Sequence, residues 1–381
     1  MAGLDKLKEI LQDAKQSGAS DIHFVSNDYV AYRINGIINF IEKWGIITEE
    51  DIKDYLFPTL NEAHLKILKQ NKSVDYSFGI QGVARFRVNL FYEKGKLSAV
   101  LRLLPEKIRS FEELGLPSVL KELCKRDFGL ILVTGPTGSG KTTTLAAMID
   151  YINENFPKHI ITIEDPIEYV YKRKKSIVRQ REVLTDTPGF NQALKDALRE
   201  DPDVILVGEL RDRETIKIAL TAAETGHLVF GTLHTNSAIE TINRIVGVFD
   251  EAEQNQILME LSFVLQGIIS QRLLPSKKGG RVLAYEILIP NMPIRNLIRS
   301  NKIYQIYPLM QSGQKETGMI TMNQRLAELI REGYIDLDIA LGVSPNPDEL
   351  KHILGKGASS GISSGFGSSS PFSQKPPFGK F

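Results

Sequence analysis

Apolar residues recur with helical spacing over residues 4–17, and Gly18 closes that stretch. Short strand-like runs follow at 21–25, 29–34 and 37–41, broken by Asn27-Asp28 and Asn35-Gly36, so the pattern predicts three strands joined by tight turns. Helical spacing returns at about 48–56 and 61–71. Three more strand segments, 74–80, 83–92 and 96–103, are separated by Gln81-Gly82 and Lys94-Gly95. Residues 1–104 therefore read as one mixed α+β domain. From Pro105 to Pro117 the periodicity breaks down, and residues 105–117 are expected to be a linker.

From Ser118 the pattern changes. Continuous apolar runs at 128–134, 159–163, 203–207 and 227–233 suit strands buried on both faces, and helical segments alternate with them. That alternation predicts an α/β domain over 118–354, with a doubly wound, mostly parallel sheet. Helices are expected at 142–152, at 293–300 and at 321–333, and after 227–234, where Ser237 and Glu240 fit a capping box. Residues 254–271 read as one helix with Ile257, Leu258, Leu261, Leu265, Ile268 and Ile269 on a core-facing stripe. Residues 355–381 are rich in Gly, Ser, Pro and Phe without periodicity and are expected to be disordered.

Composition narrows the function. Among 381 residues, 47 Lys and Arg nearly balance 46 Asp and Glu, which argues against a nucleic-acid or anionic-lipid partner. The basic run at 172–175 is read as a solvated turn. A single cysteine, Cys124, excludes a disulfide framework and a zinc site built on paired cysteines; it is expected to be a buried, inert thiol. The charged N-terminal helix pattern is not a signal peptide, and no run of eighteen apolar residues is present. A soluble, cytoplasmic protein without membrane insertion is expected.

The chemistry centres on GPTGSGKTTT at 135–144, which fits the phosphate-binding loop G-x-x-x-x-G-K-[ST] between a buried strand and a helix. Gly135, Pro136, Thr137, Gly138, Ser139, Gly140, Lys141, Thr142 and Thr143 would cradle the phosphates of ATP. Lys141 would reach the β- and γ-phosphates, and the Thr142 hydroxyl would sit on Mg²⁺. Two strands, in ITIEDPIE at 161–168 and VILVGE at 204–209, end in acids, and a third, at 227–234, has a histidine at each end. Ligands in such sheets lie outside the carboxyl ends of the strands, so Glu164, Glu209 and His234 are expected to converge on the γ-phosphate. Glu209 is the first candidate to orient the attacking water. Glu164 and Asp165 are candidates for water polarisation or contact with Mg²⁺. A solvated loop acid, or a histidine satisfied in the core, is the alternative reading of each residue taken singly.

Taken together, IEDPIE resembles the Asp box, VILVGELRD a Walker B with glutamate, and TGHLVFGTLHTNSA at 225–238 the His box of the type II/IV secretion ATPase superfamily. GASDIHF at 18–24 extends the resemblance to the N-terminus. It implies a homohexameric ring of subunits, each with a PAS-like N-terminal domain and a RecA-like P-loop ATPase domain. It also implies that N-terminal arginines reach the nucleotide. By position in GVARFRVN and VLRLLP these are Arg85, Arg87 and Arg102, which as bare sequence could equally be sheet-face charges.

The paired CxxC of assembly and secretion ATPases is missing. SQRLLPSKKGGRVLAYEIL at 270–288, PIRNLIRS at 293–300 and MITMNQRLAELI at 319–330 instead resemble the PilT-type retraction branch that drives twitching motility. Pro293 and Ser300 depart from that branch's alanine and glutamate. The resemblance implies a motor that retracts a type IV pilus from the cytoplasmic face of the inner membrane, acting on a platform protein there. An accessory or assembly ATPase of a type IV pilus or type II secretion system is the neighbouring reading. Arg295 and Arg299, four apart, are expected to project together and pass motion to a partner.

Overall fold

The computed structural model describes residues 2–313 and 317–358. The first domain opens with helix α1 (Ala2–Gln16), strands β1 (Ala19–Val25), β2 (Asp28–Ile34) and β3 (Ile37–Ile47), and helices α2 (Glu49–Leu56) and α3 (Glu62–Asn71). Strands β4 (Ser73–Ile80), β5 (Ala84–Glu93) and β6 (Lys96–Leu103) complete a six-stranded antiparallel sheet in the order β3-β2-β1-β6-β5-β4. Its turns lie where the sequence placed them, with Asn27, Asn35 and Lys94 in the left-handed region that such turns require. Leu7, Ile10 and Leu11 of α1 and Ile52 and Leu56 of α2 pack on one face of the sheet with Ile22, Phe24, Val88 and Leu101. Asp21, Arg102 and Arg87 are register partners on neighbouring strands, so they form a polar row across the sheet.

Residues 105–117 are not wholly irregular. They contain the short helix α4 (Phe111–Leu114), capped by a reciprocal Ser110–Glu113 pair, and α5 (Val119–Cys124) follows. Strand β7 (Gly129–Thr134) then leads into α6 (Lys141–Asn155), β8 (His159–Glu164), β9 (Ile177–Glu182), α7 (Phe190–Ala197), β10 (Val204–Val207), α8 (Arg213–Glu224), β11 (Leu228–Leu233), α9 (Ala238–Gly247) and α10 (Glu251–Val264). With β12 (Leu265–Pro275) and β13 (Arg281–Leu288) they form a seven-stranded sheet, β13-β12-β7-β11-β10-β8-β9, parallel except for the β12–β13 hairpin. Alternate residues of one strand feed two cores. Leu130 and Leu132 pack towards α7–α10, whereas Ile131 and Val133 pack towards α5 and α6.

The single helix expected over 254–271 is instead a helix and a strand. Ile257, Leu258 and Leu261 face the core from α10, but the chain turns extended at Leu265 and β12 pairs with β7 on one side and β13 on the other. Ile268 and Ile269 then belong to cores on opposite faces of the sheet. A continuous apolar run satisfies both patterns, and the open edge of β7 decides between them. The expected capping box of α9 is half formed: Ser237 accepts from Glu240 N–H, while the Glu240 carboxylate takes Asn236 N–H.

Helices α11 (Met292–Arg299), α12 (Ile306–Ser312), α13 (Met322–Arg331), α14 (Leu337–Val343) and α15 (Pro347–Ala358) end the described chain. Helix α15 runs three residues past Gly355, where disorder was expected to begin, and the remainder of that segment lies outside the described residues. Arg295 and Arg299 lie together, but both turn onto the end of α10 rather than away from the domain. The Arg295 guanidinium donates to Ser262 O at 2.7 Å and Phe263 O at 3.0 Å, closing the C-terminus of α10, and Arg299 lies 5.7 Å from the centre of the Phe263 ring. Cys124 is free and buried. Among the described residues, no helix is long and apolar enough to cross a membrane.

Candidate active site

The loop from Gly135 to Gly140 is set by backbone geometry. A Cβ at Gly135 (φ +141°) would lie 2.4 Å from Gln271 O and 2.6 Å from Ser139 Oγ, so any side chain there would push the loop off β12. Gly140, at φ +90°, is the N-cap of α6 and supplies no side chain to the helix's first N–H groups, which leaves them open to an anion. Ser139 Oγ is buried and has no hydrogen-bond partner among the described residues. Lys141 Nζ donates to Gly135 O at 2.7 Å and Pro136 O at 3.1 Å. Burial pulls its ammonium below the ordinary lysine value, with Glu209 acting in the opposite sense. These features fit a polyphosphate on the loop. Thr137 and Thr142 are exposed, and Thr143 Oγ1 lies 3.1 Å from Tyr169 OH.

The carboxyl ends of β8 and β10 bring Glu164 and Glu209 to one pocket, whose lining includes Thr142, Asp165, Glu168, Tyr169, Arg211 and Thr232. Gly208 permits this approach, since a Cβ there would lie 3.1 Å from Ile163 O. The two acids sit in opposite environments. Glu164 is buried, and its Oε1 accepts from Thr162 Oγ1 at 2.6 Å and from Gln180 Nε2 at 3.1 Å. Burial pushes its carboxyl up to about 7, against those two hydrogen bonds and with help from Glu168 and Glu182. Glu209 is half-buried. Burial works against its charge, but Arg211, 2.6 Å from Oε2, and His234, 3.5 Å from Oε1, hold it below the usual carboxylate value.

The other expected residues fall into place less uniformly. Asp165 is exposed at the rim. His234 touches Glu209 but is itself exposed, and it lines a neighbouring depression with Thr235, Glu240 and Arg244 rather than the Thr142–Glu164 pocket. Arg87 joins the domains, bound to Asp75 and reaching Glu168 Oε1 at 3.4 Å. Arg85 binds Glu182 Oε2 at 3.3 Å. Arg102 is largely exposed and pairs with Asp21 at 2.8 Å, so within this chain it does not approach the pocket. Sequence reasoning placed Thr232 with His234 and Thr235 at a strand end, but it gave Arg211 no role and missed the whole of β9. Residues 177–182 (IVRQRE) put two apolar residues before four polar ones, so they carry no strand alternation that sequence could read.

The type II/IV secretion system protein family matches residues 4–337 of the chain. A "Type IV pilus retractation ATPase PilT" of Pseudomonas aeruginosa is 47% identical over 344 residues, covering 90% of this chain and 99% of that protein. A "Twitching motility protein" of Neisseria gonorrhoeae is 51% identical over 305 residues, covering 80% and 81%. A crystal structure described as the pilus retraction motor PilT with bound ADP superposes with a TM-score of 0.84 at 57% identity, covering 90% of this chain and 98% of the other.

Proposed function

The chain belongs to the type II/IV secretion system protein family, and on that premise we propose that it is a motor ATPase driving type IV pilus retraction. It hydrolyses ATP. The observation that carries this reading is the meeting of the phosphate loop's Thr142 with Glu164 and Glu209 in one pocket of a chain that matches a retraction ATPase along 99% of that relative's length. The loop's open N–H groups and Lys141 would hold the phosphates. Among the described residues, no group of three His, Cys, Asp or Glu forms a cage for a metal by itself. Mg²⁺ would therefore be held by Thr142 and the nucleotide, with Glu209 close by. When bound, the ion would neutralise charge on the β- and γ-phosphate oxygens.

The environments of the acids support a division opposite to the sequence expectation. A carboxyl near 7 suits a base that takes a proton from water at neutral pH, which assigns the attacking water to Glu164. Glu209, kept ionised by Arg211 and His234, suits the metal side of the site. Asp165 at the rim is left a minor contact. Arg85, Arg87 and Arg102 share one face of the β5–β6 pair, and in a homohexamer that face would offer guanidinium groups to a neighbour's nucleotide. The ring would act on an inner-membrane platform protein from the cytoplasmic side. Deleting the chain should leave cells with surface pili that do not retract, and bald cells would instead indicate an assembly ATPase.

A further inference from the structure

We propose that Gln180 and Thr162 are positioning residues that clamp one oxygen of Glu164 and leave the other to the attacking water. This rests on the assignment of the water to Glu164. Thr162 and Gln180 face each other across the parallel β8–β9 pair, one step before Glu164 and Glu182 on the same face. Both donate to the same atom, Glu164 Oε1, at 2.6 and 3.1 Å. No group among the described residues donates to Oε2.

The Gln180 amide has only one possible orientation. Its Nε2 also donates to Tyr169 O at 2.7 Å, and its Oε1 accepts from Tyr171 N–H at 3.0 Å. A flipped amide would set carbonyl against carbonyl and N–H against N–H, so backbone groups of the loop after β8 fix the donor that faces Glu164. Two donors on one oxygen set the plane of the carboxyl group and steer the more basic lone pairs of the other oxygen towards the pocket. The same amide ties that plane to the loop carrying Glu168, which Arg87 of the first domain reaches. The geometry needs Gln at 180 for length as well as for chemistry, because Asn is one methylene shorter.

The test compares steady-state ATP hydrolysis, binding of a non-hydrolysable ATP analogue and oligomer mass for Gln180→Met, Thr162→Val, Glu164→Gln and the double variant Gln180→Met with Glu164→Gln. Gln180→Met and Thr162→Val each keep side-chain volume and remove the donor. Each should lower kcat by roughly ten- to a hundredfold, the scale expected when a reacting group is mis-set by a fraction of an ångström. KM and analogue affinity should stay within about twofold. Added to Glu164→Gln, the Met change should slow the residual turnover by less than about twofold, because it acts only through the lost carboxylate. Near-normal kcat in both donor variants overturns the proposal. So does a loss expressed only in KM or analogue affinity, or an undiminished further loss in the double variant. Wild-type turnover in Glu164→Gln alone would remove the assignment on which the proposal stands, a different result from wild-type turnover in Gln180→Met.

Discussion

Glu164→Gln should make the nucleotide-free protein more stable while cutting turnover to a small residual rate. The carboxyl is buried at the end of β8, and its value rises from 4.5 to about 7. A raised carboxyl contributes stability that is fully present below its unfolded value and is lost as pH rises through the folded one, because the folded state binds the proton more tightly. Each unit is worth ~1.4 kcal/mol, so above pH 7 the folded state carries a penalty of about 3 kcal/mol for ionising this group. Glutamine removes the charge and keeps an oxygen able to accept from Thr162 and Gln180.

Urea unfolding of both proteins at one concentration, at pH 5 and pH 8, isolates the effect. At pH 5 the wild type is mostly protonated when folded, and the two should differ by under about 1 kcal/mol. At pH 8 the variant should be more stable by about 3 kcal/mol, with hydrolysis reduced to a small residual rate. Parallel pH slopes for the two proteins would refute the argument, since a well-solvated Glu164 contributes no difference between them.

Four further outcomes are expected. Lys141→Ala should abolish ATP hydrolysis without unfolding the chain, because among the described residues its ammonium donates only to the loop carbonyls of Gly135 and Pro136, and retained turnover would remove the phosphate-loop assignment. Glu209→Gln should keep analogue binding and raise the Mg²⁺ concentration needed for half-maximal hydrolysis, whereas Glu164→Gln should not; a reversed pattern would exchange their roles. Arg87→Ala should lower hydrolysis and spare nucleotide binding, and full activity in a monomeric preparation would refute action across subunits. Arg295→Ala should destabilise the protein by about 1–2 kcal/mol by uncapping α10, and Arg299→Ala by much less, as thermal unfolding would show.

The elements legible in the sequence are those whose ends carry their own chemistry. The strands of the first domain are punctuated by Asn27, Asn35 and Gly95, residues that take left-handed backbone at little cost, and the strand breaks fall at them. The phosphate loop is legible for the same reason, since its function resides in backbone geometry that only glycine permits. By contrast, β12 continues an apolar helix with no punctuation, and its strand state is decided by β7 at a distance in sequence. Strand β9 hides because it is an edge strand with Arg179 and Arg181 on one side, so its burial is partial. Arg295 illustrates a further limit. Four-residue spacing correctly puts it near Arg299 on the helix, but the carbonyls that engage it come from another helix more than thirty residues away.

The division between Glu164 and Glu209 shows why a motif can locate chemistry without assigning it. Both acids sit at the carboxyl ends of neighbouring parallel strands, β8 and β10, and that placement alone does not assign their roles. What separates them is contributed by neighbours, some close in sequence and some, such as Gln180 and His234, brought in from other strands. Arg211 follows Glu209 by two residues, comes back to its carboxylate and, with His234, keeps it charged. Among the described residues no cation lies within ion-pair distance of Glu164; it has a hydroxyl, an amide and two like charges nearby, so its charge is the costly state. A metal-side ligand must hold a negative charge throughout the cycle, whereas a base must be able to lose and regain one near neutral pH. The arrangement of cations around one acid and neutral donors around the other therefore supports the proposed assignment, and exchanging those surroundings should exchange the roles.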